Sequence, residues 1–330
     1  MRVLVTGSTG FIGRTVCRSL RDAGLQLRVA LRDEARAATV LDIERAIVGD
    51  LSAQTDWSSA LTGIDAVVHL AGIAHMLGTP AAEALEPCTR VNVDATLTLA
   101  RAAVKAGVHR FVMMSSAKVH GETNAAHPWR EADAPDPKDP YARSKWQAEL
   151  GLRLIEKGSG LQVVVLRPPL VYGPEVKANF LRLLATVARG WPMPLGAIRN
   201  RRSLVYVGNL ADAVLACLRH PSAAGRTYLV SDGDDVSTPE LLRRVGTALG
   251  RPVRLIPVPV AVLRAAATLL GRGSDFDRLT GNFAVDSSAI RAELGWQPPY
   301  SMQQALSATA AWYRGLTPSA KKENGGDARR

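Results

Sequence analysis

The sequence predicts an α/β fold: a doubly wound parallel Rossmann sheet with a smaller, mixed C-terminal substrate region. Three observations predict it. A Gly-rich turn, Thr6-Gly7-Ser8-Thr9-Gly10-Phe11-Ile12-Gly13, stands between a short apolar run and a stretch with helical spacing. The first half of the chain then alternates short apolar runs with helix-spaced segments. Those apolar runs are continuous rather than alternating, as strands are when helices cover both faces of their sheet.

Taken in order, Arg2-Val3-Leu4-Val5 is the first strand and 14–23 the first helix. On the turn between them, Gly7 permits the tight bend, Gly10 lets a pyrophosphate approach the backbone, and Gly13 lets helix and strand pack closely. The free N–H groups and positive end of the helix then face the phosphates. A glycine triplet alone fits a ligand-free turn equally well; the next strand, 27–31, supplies the βαβ context. Arg45-Ala46-Ile47-Val48 is a third strand, ending in Gly49-Asp50-Leu51, and 65–71 a fourth. A long helix is predicted over 83–106, then a fifth strand at Phe111-Val112-Met113-Met114-Ser115. A loop rich in Pro, Asp and Ala spans 121–140; a helix follows from Tyr141 and a sixth strand at 161–166.

From Arg167 the rhythm breaks. Pro168, Pro169, Gly173 and Pro174 punctuate, and a helix follows over 179–189. The stretches 170–200 and 226–285 read as the smaller region, the helix at 209–218 returns to the main sheet, and a last helix covers 302–313. The expected division is a dinucleotide-binding domain over 1–169, with 203–225 returning to it, a mainly substrate-binding region over 170–316, and a polar, disordered tail over 317–330.

Composition narrows the function classes. With 330 residues, 47% apolar and 22% charged, the chain has an ordinary globular balance and ample core. The net charge of +11 invites a nucleic-acid reading, but no run of five basic residues occurs, and a phosphate-bearing small ligand fits better. Cys17, Cys88 and Cys217 lack metal or redox spacing and suit a reducing, cytoplasmic setting. Because the chain starts on a strand, no signal peptide is expected; nor is membrane insertion, since the most apolar stretch, 258–270, is interrupted by Arg264. It reads as a buried or amphipathic helix, with a membrane-surface role as the alternative.

A second constellation is Tyr141-Ala142-Arg143-Ser144-Lys145. The i, i+4 spacing puts Tyr141 and Lys145 on one helix face, and a nearby ammonium favours the phenolate of a tyrosine, making it a usable proton donor and acceptor. Ser115-Ser116, at the end of the fifth strand, offers a hydroxyl to a substrate carbonyl. Each of these alone also fits a surface pair or an ordinary turn.

Together these pieces resemble the extended short-chain dehydrogenase/reductase family, in its nucleotide-sugar branch. The resemblance runs from Met1 to about Tyr313 and rests on the G-x-x-G-x-x-G turn, Gly49-Asp50-Leu51, His69-Leu70-Ala71-Gly72, Val91-Asn92-Val93, Ser115-Ser116, the Tyr141–Lys145 motif and Arg167-Pro168-Pro169-Leu170-Val171-Tyr172-Gly173-Pro174. It implies that Tyr141 is the acid/base, that Lys145 holds the nicotinamide ribose and lowers the tyrosine pKa, and that Ser116 positions the substrate oxygen. It further implies that Gly7, Thr9, Gly10, Phe11, Ile12, Gly13, Asp50, Leu51, Leu70, Ala71, Gly72 and Pro168 line the cofactor, while Asn92 has a structural role in its helix backbone. Asn179, Arg202 and Arg278 match the family's positions for a nucleoside-diphosphate sugar, expected to be a UDP-sugar, and no metal is implied. A homodimer through helices at 83–106 and 141–157 is also implied.

The end of the second strand bears on the cofactor. An acidic residue there usually meets the ribose of NAD. Arg32 occupies that place, and a guanidinium suits a 2′-phosphate, so NADP(H) is favoured; with Asp33 on the ribose, NAD(H) is the alternative. Three reactions share the scaffold. Dehydratases of the family carry acidic residues where this chain has Ala117-Lys118, which argues against dehydration. Arg32, together with 65–76 and Val176-Lys177-Ala178-Asn179-Phe180, points to reduction of the C4 ketone of a UDP-linked 4-keto-6-deoxy-N-acetylhexosamine. The alternatives are a UDP-sugar 4-epimerase acting on UDP-glucose or UDP-N-acetylglucosamine, and a non-catalytic NAD(P)-binding regulator. His120 replaces the family's usual tyrosine and either faces the sugar or caps the loop.

Overall fold

The computed structural model describes residues 1–35, 43–74, 81–124 and 127–316. The tail at 317–330 lies outside the described residues, as does the end of the 65–76 stretch. Nine strands occur among them: β1 (Arg2–Thr6), β2 (Gln26–Leu31), β3 (Glu44–Ile47), β4 (Ala66–His69), β5 (Arg110–Met114), β6 (Gln162–Arg167), β7 (Leu170–Tyr172), β8 (Leu204–Tyr206) and β9 (Thr227–Leu229). Seven form a parallel sheet in the order β3-β2-β1-β4-β5-β6-β9, and β7 pairs with β8 in a small separate sheet. The helices are α1 (Phe11–Asp22), α2 (Ser58–Leu61), α3 (Ala81–Cys88), α4 (Ala95–Lys105), α5 (Pro140–Lys157), α6 (Ala178–Ala188), α7 (Val207–Arg219), α8 (Thr238–Leu249), α9 (Val260–Leu269), α10 (Gly273–Thr280), α11 (Ser288–Leu294) and α12 (Met302–Leu316). The doubly wound α/β class is the one the sequence predicts.

Burial on both faces explains the continuous apolar strands. Val3, Val5, Val68, Val112 and Val164 point to one core, closed by α1 (Val16, Leu20), α7 (Leu210, Val214) and α11 (Ile290, Leu294). Leu4, Val67, Phe111, Met113, Val163 and Val165 point to the other, closed by α2, α4 (Leu99, Ala103) and α5 (Ala148, Leu152). Each such Val or Leu contributes about 1.5–3 kcal/mol by leaving water. A third core joins Tyr172, Phe180 and Leu184 to Leu241, Val245, Met302 and Leu306, and holds the smaller C-terminal region together. Helix α7 packs against α1 over the first of these cores.

Two sequence expectations change. Thr227–Leu229, placed in the smaller region, joins the main sheet beside β6, and α11 packs on the same core. A three-residue strand is too short to carry a readable period. The helix expected over 83–106 is interrupted: a π-helical turn, Thr89–Asp94, separates α3 from α4. Such turns free main-chain groups and re-aim side chains, and here the turn carries Asn92.

Candidate active site

The strand order reverses between β1 and β4, and ligands of open α/β sheets bind outside the carboxyl ends at that point. Gly7 sits there with φ +70°, and a Cβ on it would lie 2.7 Å from the Ala71 nitrogen and 2.8 Å from the Leu70 carbonyl carbon. A Cβ on Gly13 would lie 2.1 Å from the Gly7 oxygen, inside the turn itself. On Gly10, by contrast, it would meet only that oxygen, at 3.2 Å. Gly10 is the N-cap of α1, and no side chain caps the helix. The result is a cradle of bare backbone at a helix N-terminus, which fits the pyrophosphate of a dinucleotide. Ile12 and Leu70 pack into the first core, Leu51 into the second and Phe11 into the third, so these positions shape the cradle from beneath. Thr9 offers its carbonyl to Arg14 at 3.2 Å, and Arg14 reaches Glu175, after β7, at 2.5 Å.

Arg32 and Asp50, at the ends of β2 and β3, form an exposed ion pair of 2.6 Å. Both candidate adenosine contacts therefore face one another. The guanidinium that the sequence offers to a 2′-phosphate thus has a carboxylate partner within the chain.

The proposed catalytic groups converge at the end of β5. Ser116 is extended, caps the short 3₁₀ turn Ala117–His120 by accepting from the Lys118 N–H at 3.2 Å, and hydrogen-bonds the Tyr141 phenol. Pro168 accepts from the Ala117 N–H at 2.9 Å, which sets this proline against the serine turn. Asp139 starts α5: it accepts from the Ala142 N–H at 2.7 Å and pairs with Lys118, with Pro140 in the first turn. Tyr141 is thus held on a capped first turn. One turn further, the Lys145 ammonium donates to the Met114 carbonyl at 3.0 Å. A Cβ on Gly72 would lie 3.1 Å from that ammonium and 2.8 Å from Asn92 Oδ1, so glycine is required between them.

Asn92 is structural, but across the fold rather than within its own helix. Its Oδ1 accepts from the Ile73 N–H at 2.8 Å, and its Nδ2 donates to the Ile73 carbonyl (3.0 Å) and Ser144 Oγ (2.9 Å). One buried amide thereby ties the segment after β4 to the helix carrying Tyr141 and Lys145.

Burial governs the titration of the pair. Desolvation pushes the Tyr141 phenol up to about 12, against the Ser116 hydrogen bond that lowers it. Desolvation also brings Lys145 down to about 8, with Glu149 and Cys88 opposing. The expected lowering of Tyr141 by Lys145 is therefore not what sets its pKa here: the ammonium is engaged by the Met114 carbonyl.

A buried layer beneath the site was not anticipated. Glu149 and Arg167 form an almost fully buried pair at 2.5 Å; Ser115 donates to Glu149, and Arg167 donates to His120 Nε2 at 2.9 Å. His120 is buried, stacks on Trp129 with centroids 6.0 Å apart, and is driven down to about 4 chiefly by burial. It is a neutral core group at the end of the serine turn, not a group facing the sugar. Cys88, also buried, lies near enough to act on both Tyr141 and Lys145. Only the Asp139-Pro140 capping signal was there to be read in the sequence.

Of the residues the resemblance assigns to a sugar nucleotide, Arg202 and Arg278 come together: Arg202 Nη1 donates to the Arg278 carbonyl at 2.7 Å. The Arg278 guanidinium is held by Glu122 (2.7 and 3.2 Å). Asn179 stands exposed on the first turn of α6, directly after Ala178, whose φ of +52° is unusual for a residue with a Cβ. A cavity of about 530 Å³ opens beside the two arginines, lined by Thr123, Asn124, Arg199, Val260, Arg264 and Asp277 among others.

Among known proteins, the sequence model of the NAD dependent epimerase/dehydratase family matches residues 3–231. The chain is 41% identical over 311 residues to a UDP-glucose 4-epimerase of Vibrio cholerae, covering 93% of this chain and 94% of that protein. In structure it is similar to the UDP-glucuronic acid 4-epimerase of Bacillus cereus in complex with NAD (TM-score 0.77, 20% identity, 96% of this chain and 99% of that one). It is equally similar to the UDP-N-acetylglucosamine 4-epimerase of Bacillus cereus (TM-score 0.77, 22% identity, 96% and 100%).

Proposed function

The chain belongs to the NAD dependent epimerase/dehydratase family, and from that premise we propose that it is a UDP-sugar 4-epimerase that retains NAD. The observation that carries this reading is the 41% identity to a UDP-glucose 4-epimerase along nearly the full length of both chains. It replaces the 4-keto-sugar reductase as the leading reading. That reading leaned on Arg32 as a ligand for NADP(H), and the Arg32–Asp50 pair removes much of its basis.

The residues fit the dinucleotide. The Gly7–Gly13 turn would hold its pyrophosphate, Asp50 and Arg32 its adenosine end, and Gly72, Pro168 and Lys145 its nicotinamide end. When bound, the dinucleotide supplies hydride acceptance and return at the sugar's C4. The chain's own part is proton handling and orientation. Tyr141 takes the proton of the C4 hydroxyl and later gives it back. Ser116 holds the same oxygen and, by its hydrogen bond, draws the phenol down from the value burial imposes. Lys145, poised at about 8 beside Gly72, carries positive charge at neutral pH and favours the phenolate once redirected from Met114. Arg202, Arg278 and Asn179 bind the sugar nucleotide, with its diphosphate competing with Glu122 for Arg278. Exposed Leu85 on α3 and Leu150 and Leu154 on α5 support the homodimer.

The test is direct: purified protein given UDP-glucose or UDP-N-acetylglucosamine should form the 4-epimer with no net oxidation of nucleotide, and Tyr141→Phe should not. Stoichiometric NADPH consumption with a UDP-4-keto-6-deoxy-N-acetylhexosamine, and no epimer from either substrate, restores the reductase.

A further inference from the structure

None of the residues of α9 is fully buried. Leu263 and Ala267, one turn apart, are half-covered and mark the side resting on the body, where Arg264 pairs with Asp277 of α10 at 2.6 Å. The opposite face is Ala261, Val262, Ala265, Ala266 and Leu269, followed by Leu270, all exposed. Leu269 is 89% exposed and Leu270 76%. Isolated apolar residues on a surface are ordinary; a whole helix face is not. The apolar surface continues beyond the helix. Met193 N–H bonds the Arg254 carbonyl and Ile256 N–H the Met193 carbonyl, both at 2.9 Å, which brings Ile256 and Trp191, 68% exposed, to the foot of α9.

The charge around this face identifies what covers it. Residues 176–211 and 241–274 contain no Asp or Glu, but one lysine and eleven arginines, of which Arg201, Arg243, Arg244 and Arg264 pair with carboxylates outside those stretches. Exposed among the rest are Arg189, over the Trp191 ring, Arg254, whose carbonyl meets Met193, Arg251 three residues before it, and Arg272 just after α9. A second copy of the chain seated face to face would set one arginine rim against another, which like charges oppose. The segment 317–330 offers no aliphatic side chain larger than alanine or proline, so it does not match the face either. An apolar helix face with an edge tryptophan and a basic rim matches the interfacial zone of an anionic bilayer.

We propose that α9 and its arginine rim dock the protein reversibly on an anionic phospholipid surface. The helix, ten residues long, lies on the bilayer rather than crossing it; indeed, no helix among the described residues is long and apolar enough to span a membrane. Val260 and Arg264, on the other side of the helix, line the cavity beside Arg202 and Arg278, so the docking face and the cavity share one element.

The test is co-sedimentation of the full chain with vesicles of phosphatidylcholine, with and without phosphatidylglycerol. Binding to the anionic vesicles, about tenfold weaker to neutral ones and weakened by salt, is expected. The pair Val262→Asp with Leu269→Asp should lower it about tenfold or more while leaving the melting temperature and NAD binding unchanged. Arg251→Glu with Arg254→Glu should do the same without touching the apolar face. No binding to anionic vesicles, or binding that neither pair weakens, overturns the proposal. So does loss of a dimer in sedimentation velocity on the Val262→Asp/Leu269→Asp change, since the face then belongs to a second copy. The readout is binding, so it succeeds or fails independently of the sugar reaction.

Discussion

Gly10 and Gly13 separate binding of the cofactor from integrity of the fold. An alanine at Gly13 would put its methyl 2.1 Å from the Gly7 oxygen and 2.7 Å from the Ser8 Cα. Both neighbours are backbone, so roughly 1 Å of movement is needed, and overpacking of this kind costs about 1–3 kcal/mol or more. For a chain of this size that is a fall in melting temperature of about 1–5 °C. At Gly10 the methyl meets only the Gly7 oxygen at 3.2 Å, and the backbone, at φ −76°, suits alanine. The fold should lose no more than about 1 kcal/mol, the N-cap preference included. The methyl does, however, occupy ground that a pyrophosphate needs. Losing one or two charge-assisted hydrogen bonds, at about 1.5–3 kcal/mol, weakens NAD binding about 10- to 100-fold. Calorimetric titration with NAD and thermal melts of both variants are the assays. A folded Gly10→Ala protein that binds NAD like the parent refutes the placement of the pyrophosphate.

Other predictions follow from the layer under the site. Asn92→Ala strands buried partners at Ile73 and Ser144 and should lower stability by about 2–3 kcal/mol, with kcat falling more than KM rises, as melts and initial rates will show. Glu149→Gln leaves Arg167 buried without its carboxylate and should cost about 3–5 kcal/mol in urea unfolding. His69 and His120 are held neutral in the fold, at about 3 and about 4, against an ordinary value near 6.5. Unfolded chains thus bind more protons between pH 6.5 and 4, so stability is full above that range and falls as pH drops through it, by up to about 2.7 kcal/mol per pH unit for the two groups. Unfolding free energies flat from pH 6.5 to 5 would contradict their burial, and His120→Gln should halve the slope. Asp50→Asn releases Arg32, and the ratio of NADP to NAD affinity should rise up to about fivefold, as an exposed pair of about 1 kcal/mol allows.

How much of this was legible depended on sequence distance. The glycine turn, the continuous apolar strands and the Tyr141–Lys145 spacing are local patterns, and the structure puts the turn at the switch point and both side chains on one capped helix. What escaped was made by contacts between distant segments. Asn92, in the π-helical turn, reaches Ser144 52 residues away, and Arg32 meets Asp50 because neighbouring parallel strands end side by side. His120 looked like a substitution in a substrate-facing motif; its role became readable only with Trp129 and Arg167 packed on it. β9 is too short to signal, and its place beside β6 is set by the cores closing around it.

The central claim, that Tyr141 and Ser116 serve a retained NAD in epimerising a UDP-sugar, is tested most directly by incubating the purified protein with UDP-glucose and with UDP-N-acetylglucosamine, without added cofactor, and resolving the 4-epimers. The account predicts conversion of at least one to its epimeric equilibrium with no accumulation of reduced nucleotide, and a loss of about 10²- to 10⁴-fold in Tyr141→Phe. Absence of both 4-epimers from an NAD-loaded, folded protein, or conversion undiminished in Tyr141→Phe, would contradict it.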